Sequence, residues 1–492
     1  MIEIAAILVS LLLIAISTYS WIKEKNHKNK YKDFYSLPTP KPVLPIIGNG
    51  LLFYKFNYNI VKVSEFISET VGNPCVIYMP NETYCTSCPE ELKIILNHPD
   101  CLEKGSFYKV LNTTFKQTLL IESVSKWKKN RKLVSKGFNQ KVLDSSVESF
   151  NTMGPNLIEK LKKNNEDLVY LFQKFTLDNF TENFLNINFN FLDEKESEFV
   201  DMITNGEKTM ARRIGNLIKM NDFCYNFTGD GRYLNKIMAQ AFDFIQKILT
   251  NKRLELNENY FSHVETKELR RGQLLQLLLS DKDTTDEYIR KELVLLAGAA
   301  TDTTAYSMAF TCVLLGMHPD IQKKVYEEVI NIVGKDKEIE HNILPSLKYT
   351  EMAINESLRL LPVIPYTGRR SVADIHLGTK VIPAGTDIVC FLFGTHRSEK
   401  WYPNPKKYDP ERFSPEEVAK RPQYAFLPFS GGPRNCIGWK YAMMNMKTTI
   451  ANIVRHFHIT TKYKSIDDMD FESSIAMTTT HPVDCHFKIR EQ

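Results

Sequence analysis

One stretch of the chain, Phe429 to Gly438, combines a cysteine with residues that suit metal chemistry. It reads Phe-Ser-Gly-Gly-Pro-Arg-Asn-Cys-Ile-Gly and places Cys436 directly before a predicted helix from Ile437 to His456. A cysteine binds a metal as the thiolate, and the unpaired N–H groups and dipole of a helix start lower a thiol pKa. Glycines let the backbone approach a flat cofactor. The stretch could therefore hold a metal through Cys436, although a single cysteine is often only a small buried hydrophobic residue.

A second segment with chemical potential is the middle of a long predicted helix, Asp286 to Met317, which Thr284-x-x-Glu287 could start as a capping box. Its centre reads Ala297-Gly-Ala-Ala-Thr-Asp-Thr303-Thr304. Such small residues would let a flat ligand lie against the backbone, although they also serve close helix packing. Asp302 and Thr303 place a carboxyl group beside a hydroxyl group, and this pair suits proton delivery.

Three further groups of charged or aromatic residues have regular spacing. Trp127 and Arg131 share one face of a predicted helix, and so do Glu356 and Arg359, while Arg412 follows about 50 residues later in Pro-Glu-Arg-Phe. The Trp127 helix is also rich in lysine, at positions Lys126, Lys128, Lys129, Lys132 and Lys136. That basic face is either simply solvated or a docking patch for an acidic electron-transfer partner.

Together these motifs resemble those of the cytochromes P450, and the resemblance covers essentially the whole chain. The pattern Phe-x-x-Gly-x-Arg-x-Cys-x-Gly, formed by Phe429, Gly432, Arg434, Cys436 and Gly438, matches the haem-binding loop of that family. Ordinary residue frequencies would produce it by chance in about one chain of this length in ten thousand. Within that family, the chain is similar to the insect-rich clan that includes fatty-acid ω-hydroxylases. The resemblance implies a mainly α fold with small β-sheets (α+β) and haem b, iron protoporphyrin IX, as the cofactor.

The resemblance also implies a role for each motif residue. Cys436 is the expected axial ligand of the haem iron, Thr303 the hydroxyl beside bound dioxygen, and Asp302 a carboxylate that relays protons. Residues expected to contact haem propionates are Trp127, Arg131, Arg369 and Arg434. Glu356, Arg359 and Arg412 are expected to form a buried charge network that fixes the loop beneath the haem.

Two residues depart from the family pattern. Ala300 stands where glycine is usual, and Ala299 stands where many relatives of this clan carry a glutamate that can become esterified to the haem. Alanine has no carboxyl group with which to form an ester. We therefore expect the haem to be held non-covalently.

The N-terminus predicts a membrane anchor. Residues 4–22 carry no charge and are rich in Ile, Leu, Val and Ala, and five lysines follow between positions 23 and 32. That length just spans a bilayer core, and the lysines place the rest of the chain in the cytosol. A cleaved signal peptide would carry its charge before the apolar run and end in small residues, and this segment does neither. We expect an anchor at 1–22, a basic linker at 23–36 and one catalytic domain at 37–492, on the cytosolic face of the endoplasmic reticulum.

Composition excludes several other classes of protein. The 492 residues are 43% hydrophobic, which is typical of a globular protein, and the net charge of +5 is too small to indicate nucleic-acid binding. Nine scattered cysteines, an odd number, suit a reducing compartment rather than a disulfide framework.

The implied activity is a monooxygenase reaction on a lipophilic molecule such as a fatty acid, terpenoid, steroid or xenobiotic. Electrons would come from NADPH through NADPH–cytochrome P450 reductase, with cytochrome b5 as a second candidate donor. The substrate pocket is expected from residues 105–123, 296–300, 363–368 and 477–480, which are mostly uncharged. Two other classes stay open at this stage: an oxygen-independent isomerase or dehydratase, and a membrane haemoprotein without catalysis.

Overall fold

The computed structural model describes residues 22–45, 47–79, 81–163, 166–194, 197–214, 216–259, 271–473 and 475–491. The predicted fold class, mainly helical with small sheets, is confirmed. Helices of eight or more residues are α1 Ile60–Thr70, α2 Pro89–Asn97, α3 Val124–Ser135, α4 Gln140–Lys163, α5 Leu168–Phe180, α6 Glu198–Ala211, α7 Gly229–Asn259, α8 Gln273–Ser280, α9 Asp286–Met317, α10 Pro319–Ile332, α11 Lys348–Leu360 and α12 Trp439–His456. Shorter α-helices are Lys32–Tyr35, Gly50–Lys55, Asn112–Phe115, Leu217–Met220, Asp222–Asn226, Leu392–His396 and Pro415–Ala419.

The strands form four small sheets. They are β1 Cys75–Tyr78, β2 Glu82–Thr86, β3 Tyr366–Arg370, β4 Ile375–Leu377, β5 Lys380–Ile382, β6 Asp387–Phe391, β7 Phe457–Thr460, β8 Phe471–Ser473, β9 Met477–Thr479 and β10 His486–Ile489. The largest sheet has the order β1-β2-β6-β3, and the others are the pairs β4-β5, β7-β10 and β8-β9. The strand pair predicted around residues 75–85 is therefore the edge of a four-stranded sheet.

Helix α9 is the central element of the fold. It has the predicted bounds, and it packs against α5, α7, α11 and α12. Its N-cap is Thr285, whose hydroxyl accepts from the backbone N–H of Tyr288 at 3.2 Å, so the predicted cap at Thr284 is displaced by one residue. Nearly all residues in the second half of α9 are buried, so this half of the helix runs through the interior of the protein.

The N-terminal part of the described chain docks on the largest sheet. Residues 22–30 are helical, and the next short helix buries Phe34 with its ring 6.2 Å from that of Tyr84 on β2. The Tyr31 hydroxyl donates to Asp374 at 2.8 Å. The predicted anchor, residues 1–22, lies outside the described residues except for Ile22. Among the helices of the described ranges, none is long and apolar enough to cross a bilayer.

Candidate active site

A cavity of about 330 Å³ brings together residues from the predicted cysteine loop and from the middle of α9. Cys436 and Phe429 line it from the loop, and Gly298, Ala299 and Thr303 line it from α9. Most of the remaining wall is apolar or aromatic and comes from Phe107, Tyr108, Val110, Leu111, Phe115, Leu120, Ile203, Met210, Ile214, Met238, Val363, Ile364, Tyr366, Ile475 and Ala476. The thiol and the hydroxyl therefore line the same largely apolar cavity.

Local backbone geometry positions Cys436 in its loop. The Cys436 N–H donates to the Phe429 carbonyl at 3.0 Å, and the Gly438 N–H is hydrogen bonded to the Cys436 sulfur. Gly432 has a φ of 69°, and a Cβ there would lie 1.9 Å from the Leu96 carbonyl oxygen, so only glycine fits. Gly438 is the N-cap of α12, which begins at Trp439, two residues later than predicted.

The pKa of the Cys436 thiol is shifted in the direction opposite to the predicted one. In the chain without a metal, burial raises the pKa of Cys436, while the Gly438 N–H and the Arg131 charge act in the opposite direction. The predicted lowering by the helix start is therefore outweighed by desolvation. Cys436 is nevertheless exposed, and it is one of the residues that line the cavity.

Three cations meet near the cavity. Arg369 on β3 is 0% exposed, and its Nε and Nη2 atoms have no hydrogen-bond acceptor among the described residues. Lys104 and Arg434 line the cavity, and burial together with both arginine charges lowers the pKa of Lys104 well below its ordinary value. Burial and Arg369 lower the pKa of Arg434 to about 10. An anion would stabilise such a cluster of positive charges. Lys104 was not predicted from the sequence to belong to it.

Arg434 also fastens the loop to the preceding part of the chain. Its guanidinium donates to the carbonyls of Leu102 at 3.1 Å and Glu122 at 2.8 Å, and it lies 4.3 Å from the ring of Trp127 on α3. Arg131, one turn further along α3, donates to the Asn435 carbonyl at 2.9 Å. Trp127 and Arg131 thus hold the cysteine loop from outside the cavity wall, and their contact with propionates stays a prediction.

The oxygen-side residues predicted on α9 face in different directions. The Thr303 hydroxyl lines the cavity and donates to the Ala299 carbonyl at 2.7 Å. Asp302 is 5% exposed, is not among the described residues that line the cavity, and accepts from Gln173 Nε2 at 2.9 Å. It is also hydrogen bonded to Glu207 of α6, which does line the cavity. Glu207 was missed because a lone glutamate on a helix gives no sequence signal.

The three residues predicted to form a charge network are in contact. Glu356 and Arg359 on α11 are both 0% exposed and are joined by two hydrogen bonds, of 2.6 and 2.8 Å. Arg412 Nε lies 3.3 Å from the same carboxylate, which also accepts from the Asp409 N–H at 2.9 Å.

A histidine links this network to the cysteine loop. Arg359 donates to the His396 carbonyl at 2.8 Å, and His396 Nε2 accepts from the Leu427 N–H at 2.9 Å. Burial and the Arg359 charge lower the pKa of His396 to about 3, so that the ring stays neutral and Nε2 can accept. Leu427 precedes the loop by two residues, and the network therefore supports the start of the loop.

The predicted substrate-contacting segments are present in the wall with one exception. Residues from 105–123, 296–300 and 363–368 line the cavity, but in the tail the lining residues are Ile475 and Ala476. Met477 begins β9, and its N–H donates to the Val363 carbonyl at 2.7 Å. Helices α6 and α7 also contribute to the wall, and the sequence analysis did not predict this, because their contact with α9 depends on tertiary packing.

Comparison with known proteins agrees with this geometry. The family model described as Cytochrome P450 matches residues 38–486. The chain is 29% identical to cytochrome P450 4d1 of Drosophila melanogaster over 99% of each chain, and 28% identical to human cytochrome P450 4V2 over 93% of this chain and 90% of that protein. It is also 28% identical to cytochrome P450 4c21 of Blattella germanica, over 90% and 91% respectively. The family predicted from the sequence is confirmed, and the chain belongs to the cytochrome P450 family of monooxygenases.

Proposed function

We propose that this protein is a haem-thiolate monooxygenase that hydroxylates or epoxidises a lipophilic small molecule. One observation carries the proposal: the Cys436 thiol, the Thr303 hydroxyl and two of the three clustered cations line the same apolar cavity. The proposed cofactor is haem b, held without a covalent bond because Ala299 provides no carboxyl group for an ester.

The residues present fit such a cofactor. Haem b carries two propionates, and the unpartnered Arg369 nitrogens together with Lys104 and Arg434 provide buried positive charge for them. Gly298 and Ala299 expose little side chain on the α9 wall, which suits a flat ring. Trp127 and Arg131 are proposed to support the propionates through the Arg434 and Asn435 segment that they contact.

When bound, the haem iron with its thiolate ligand supplies reductive activation of dioxygen and insertion of one oxygen atom into a substrate. The Gly438 N–H would steady the sulfur, and the salt-bridged Glu356 network would hold the loop in register through His396. Thr303 would release its bond to the Ala299 carbonyl in order to donate into the cavity. The largely apolar wall would accommodate a lipophilic substrate.

The proposed partners and location follow the same reasoning. Electrons would come from NADPH through NADPH–cytochrome P450 reductase, or in part from cytochrome b5, and the lysine-rich face of α3 is the proposed docking patch. Residues 1–22 would anchor the catalytic domain, 37–492, on the cytosolic face of the endoplasmic reticulum.

Reconstitution tests the proposal. Purified protein with haem, reductase, NADPH and dioxygen is incubated with a panel of fatty acids, terpenoids, steroids and xenobiotics, and products are analysed by mass spectrometry. We expect a product that contains one added oxygen atom, dependent on NADPH and abolished in Cys436→His. Turnover of a peroxide substrate without NADPH would indicate an isomerase or dehydratase instead. A folded haem protein that gives no product from any substrate would contradict the proposal.

A further inference from the structure

Glu207 is an acidic side chain in the part of the cavity wall formed by α6 and α9, where its neighbours in the wall are apolar or carry hydroxyl groups. Its Oε1 lies 3.0 Å from the point that a Cβ on Gly298 would occupy, so the carboxyl group rests directly on the α9 backbone. Gly298 and Asp302 are four residues apart and therefore share one face of the helix. This packing brings Glu207 to Asp302, and the two carboxyl groups are hydrogen bonded.

A hydrogen bond between two carboxyl groups requires a proton on one of them. The Gln173 amide donates to Asp302 Oδ1 at 2.9 Å and so favours negative charge on Asp302. The proton then resides on Glu207. Burial raises the pKa of both carboxyl groups. The Asp302 charge raises that of Glu207 further, to well above its ordinary value, whereas the hydrogen bonds from Glu207 and Gln173 offset part of the rise in the pKa of Asp302.

The other charged and titratable groups near the pair do not neutralise it. Lys208, the next residue on α6, is exposed and lowers the pKa of Asp302 only through its distant charge. The Tyr306 hydroxyl, one turn along α9, is kept protonated by burial and by the neighbouring carboxyl groups. The neighbours that the structure describes therefore leave the pair with one proton and one negative charge.

We propose that Glu207 is the acid that delivers protons to the cavity beside Thr303, and that Asp302 and Gln173 position it. The inference rests on the proposed function and differs from the expected role of Asp302, whose carboxyl group does not reach the cavity wall. In the step, the Glu207 O–H bond breaks and the proton passes to a basic oxygen atom bound in the cavity. The pair then carries two negative charges, and their repulsion favours recovery of a proton from solvent.

The first test measures the proton directly in the ferric holoprotein, without turnover. Infrared spectra recorded at neutral pH in light and heavy water should contain a protonated-carboxyl band that is absent in Glu207→Gln. The band should shift in Asp302→Asn, because the hydrogen-bond partner changes. It should be unchanged in Glu198→Gln, an exposed glutamate of the same helix. Persistence of the full band in Glu207→Gln would overturn the inference.

The second test measures the use of the proton in turnover. Glu207→Gln should lower the fraction of NADPH electrons recovered in product about tenfold or more, with the remainder found as reduced oxygen and little change in KM. Glu207→Asp should restore part of the loss. Unchanged coupling in Glu207→Gln, with the infrared band lost, would refute proton delivery while leaving the proposed monooxygenase function intact. Absence of product from the wild-type protein would instead contradict the proposed function itself, and the infrared test would still apply.

Discussion

Replacing Arg369 by methionine should weaken haem binding while leaving the rest of the fold in place. The side chain is fully buried, and its Nη1 donates to the Thr367 hydroxyl at 3.1 Å and to the Gly368 carbonyl at 2.9 Å. The other two nitrogens have no acceptor in the described part of the chain and lie in a field of like charge from Lys104 and Arg434. Methionine fills a similar volume without that charge.

The size of the effect follows from this burial. Removing one partner of a buried ion pair costs about 3–5 kcal/mol. A loss of that size corresponds to a roughly 10²- to 10⁴-fold weaker complex with a cofactor that carries two propionates. Part of the loss is recovered because the repulsion from Lys104 and Arg434 disappears, so we expect the lower end of the range.

The rate of haem transfer from the holoprotein to an excess of a haem-scavenging apoprotein measures this loss. Arg370→Met is the matched control, because the neighbouring side chain is 39% exposed and pairs with Asp387 at 3.2 Å. A partly exposed pair of this kind contributes about 0–1 kcal/mol. If Arg369→Met retained haem as firmly as Arg370→Met, the assignment of the buried cations to an anionic cofactor would be refuted.

Four further predictions follow from the same structure. Glu356→Gln should lower the free energy of unfolding by about 3–5 kcal/mol, because Arg359 is left buried without its counter-charge. Glu327→Gln on α10, whose partner Lys323 is 74% exposed, should cost less than about 1 kcal/mol, and equal urea midpoints for the two variants would contradict this. Thr303→Ala should divert electrons from product to reduced oxygen, and Thr303→Ser should retain most of the coupling, whereas full coupling in the alanine variant would exclude the hydroxyl from proton transfer. Burial raises the pKa of Glu292 to about 7, so the folded protein holds a proton that the unfolded chain releases near pH 4.5, and the wild-type protein loses stability as the pH rises between those values. Glu292→Gln should therefore be more stable than the wild type by up to about 3 kcal/mol at pH 8 and equally stable near pH 4. Urea unfolding of both proteins at the two pH values measures this difference. Acid denaturation and solvent extraction should release all of the haem, and haem retained on the polypeptide would show that the alanine at position 299 does not preclude covalent attachment.

The sequence identified the motifs that depend on local geometry. The loop around Cys436, the bounds of α9 and the Glu356 and Arg359 pair could be predicted because each is encoded by residues close together in the chain. The steric need for glycine at Gly432 also follows from a local turn, although the contact that enforces it, with the Leu96 carbonyl, is distant in sequence.

What the sequence did not reveal depends on which helices pack together. Glu207 reaches Asp302 because α6 crosses α9 at Gly298, and Lys104 joins Arg369 and Arg434 because the segment before Tyr108 lies beside β3. The direction of the Asp302 side chain and the net effect of burial on Cys436 are likewise tertiary properties. Neither the direction of the Asp302 side chain nor the burial of Cys436 can be read from the spacing of residues within a single helix.

The most direct test of the central claim is the carbon monoxide difference spectrum of the reduced holoprotein. A thiolate ligand from Cys436 predicts the red-shifted band of a haem-thiolate complex in the wild-type protein and its loss in Cys436→His. A folded wild-type protein that binds haem and carbon monoxide but lacks this band would contradict the claim that Cys436 holds the iron.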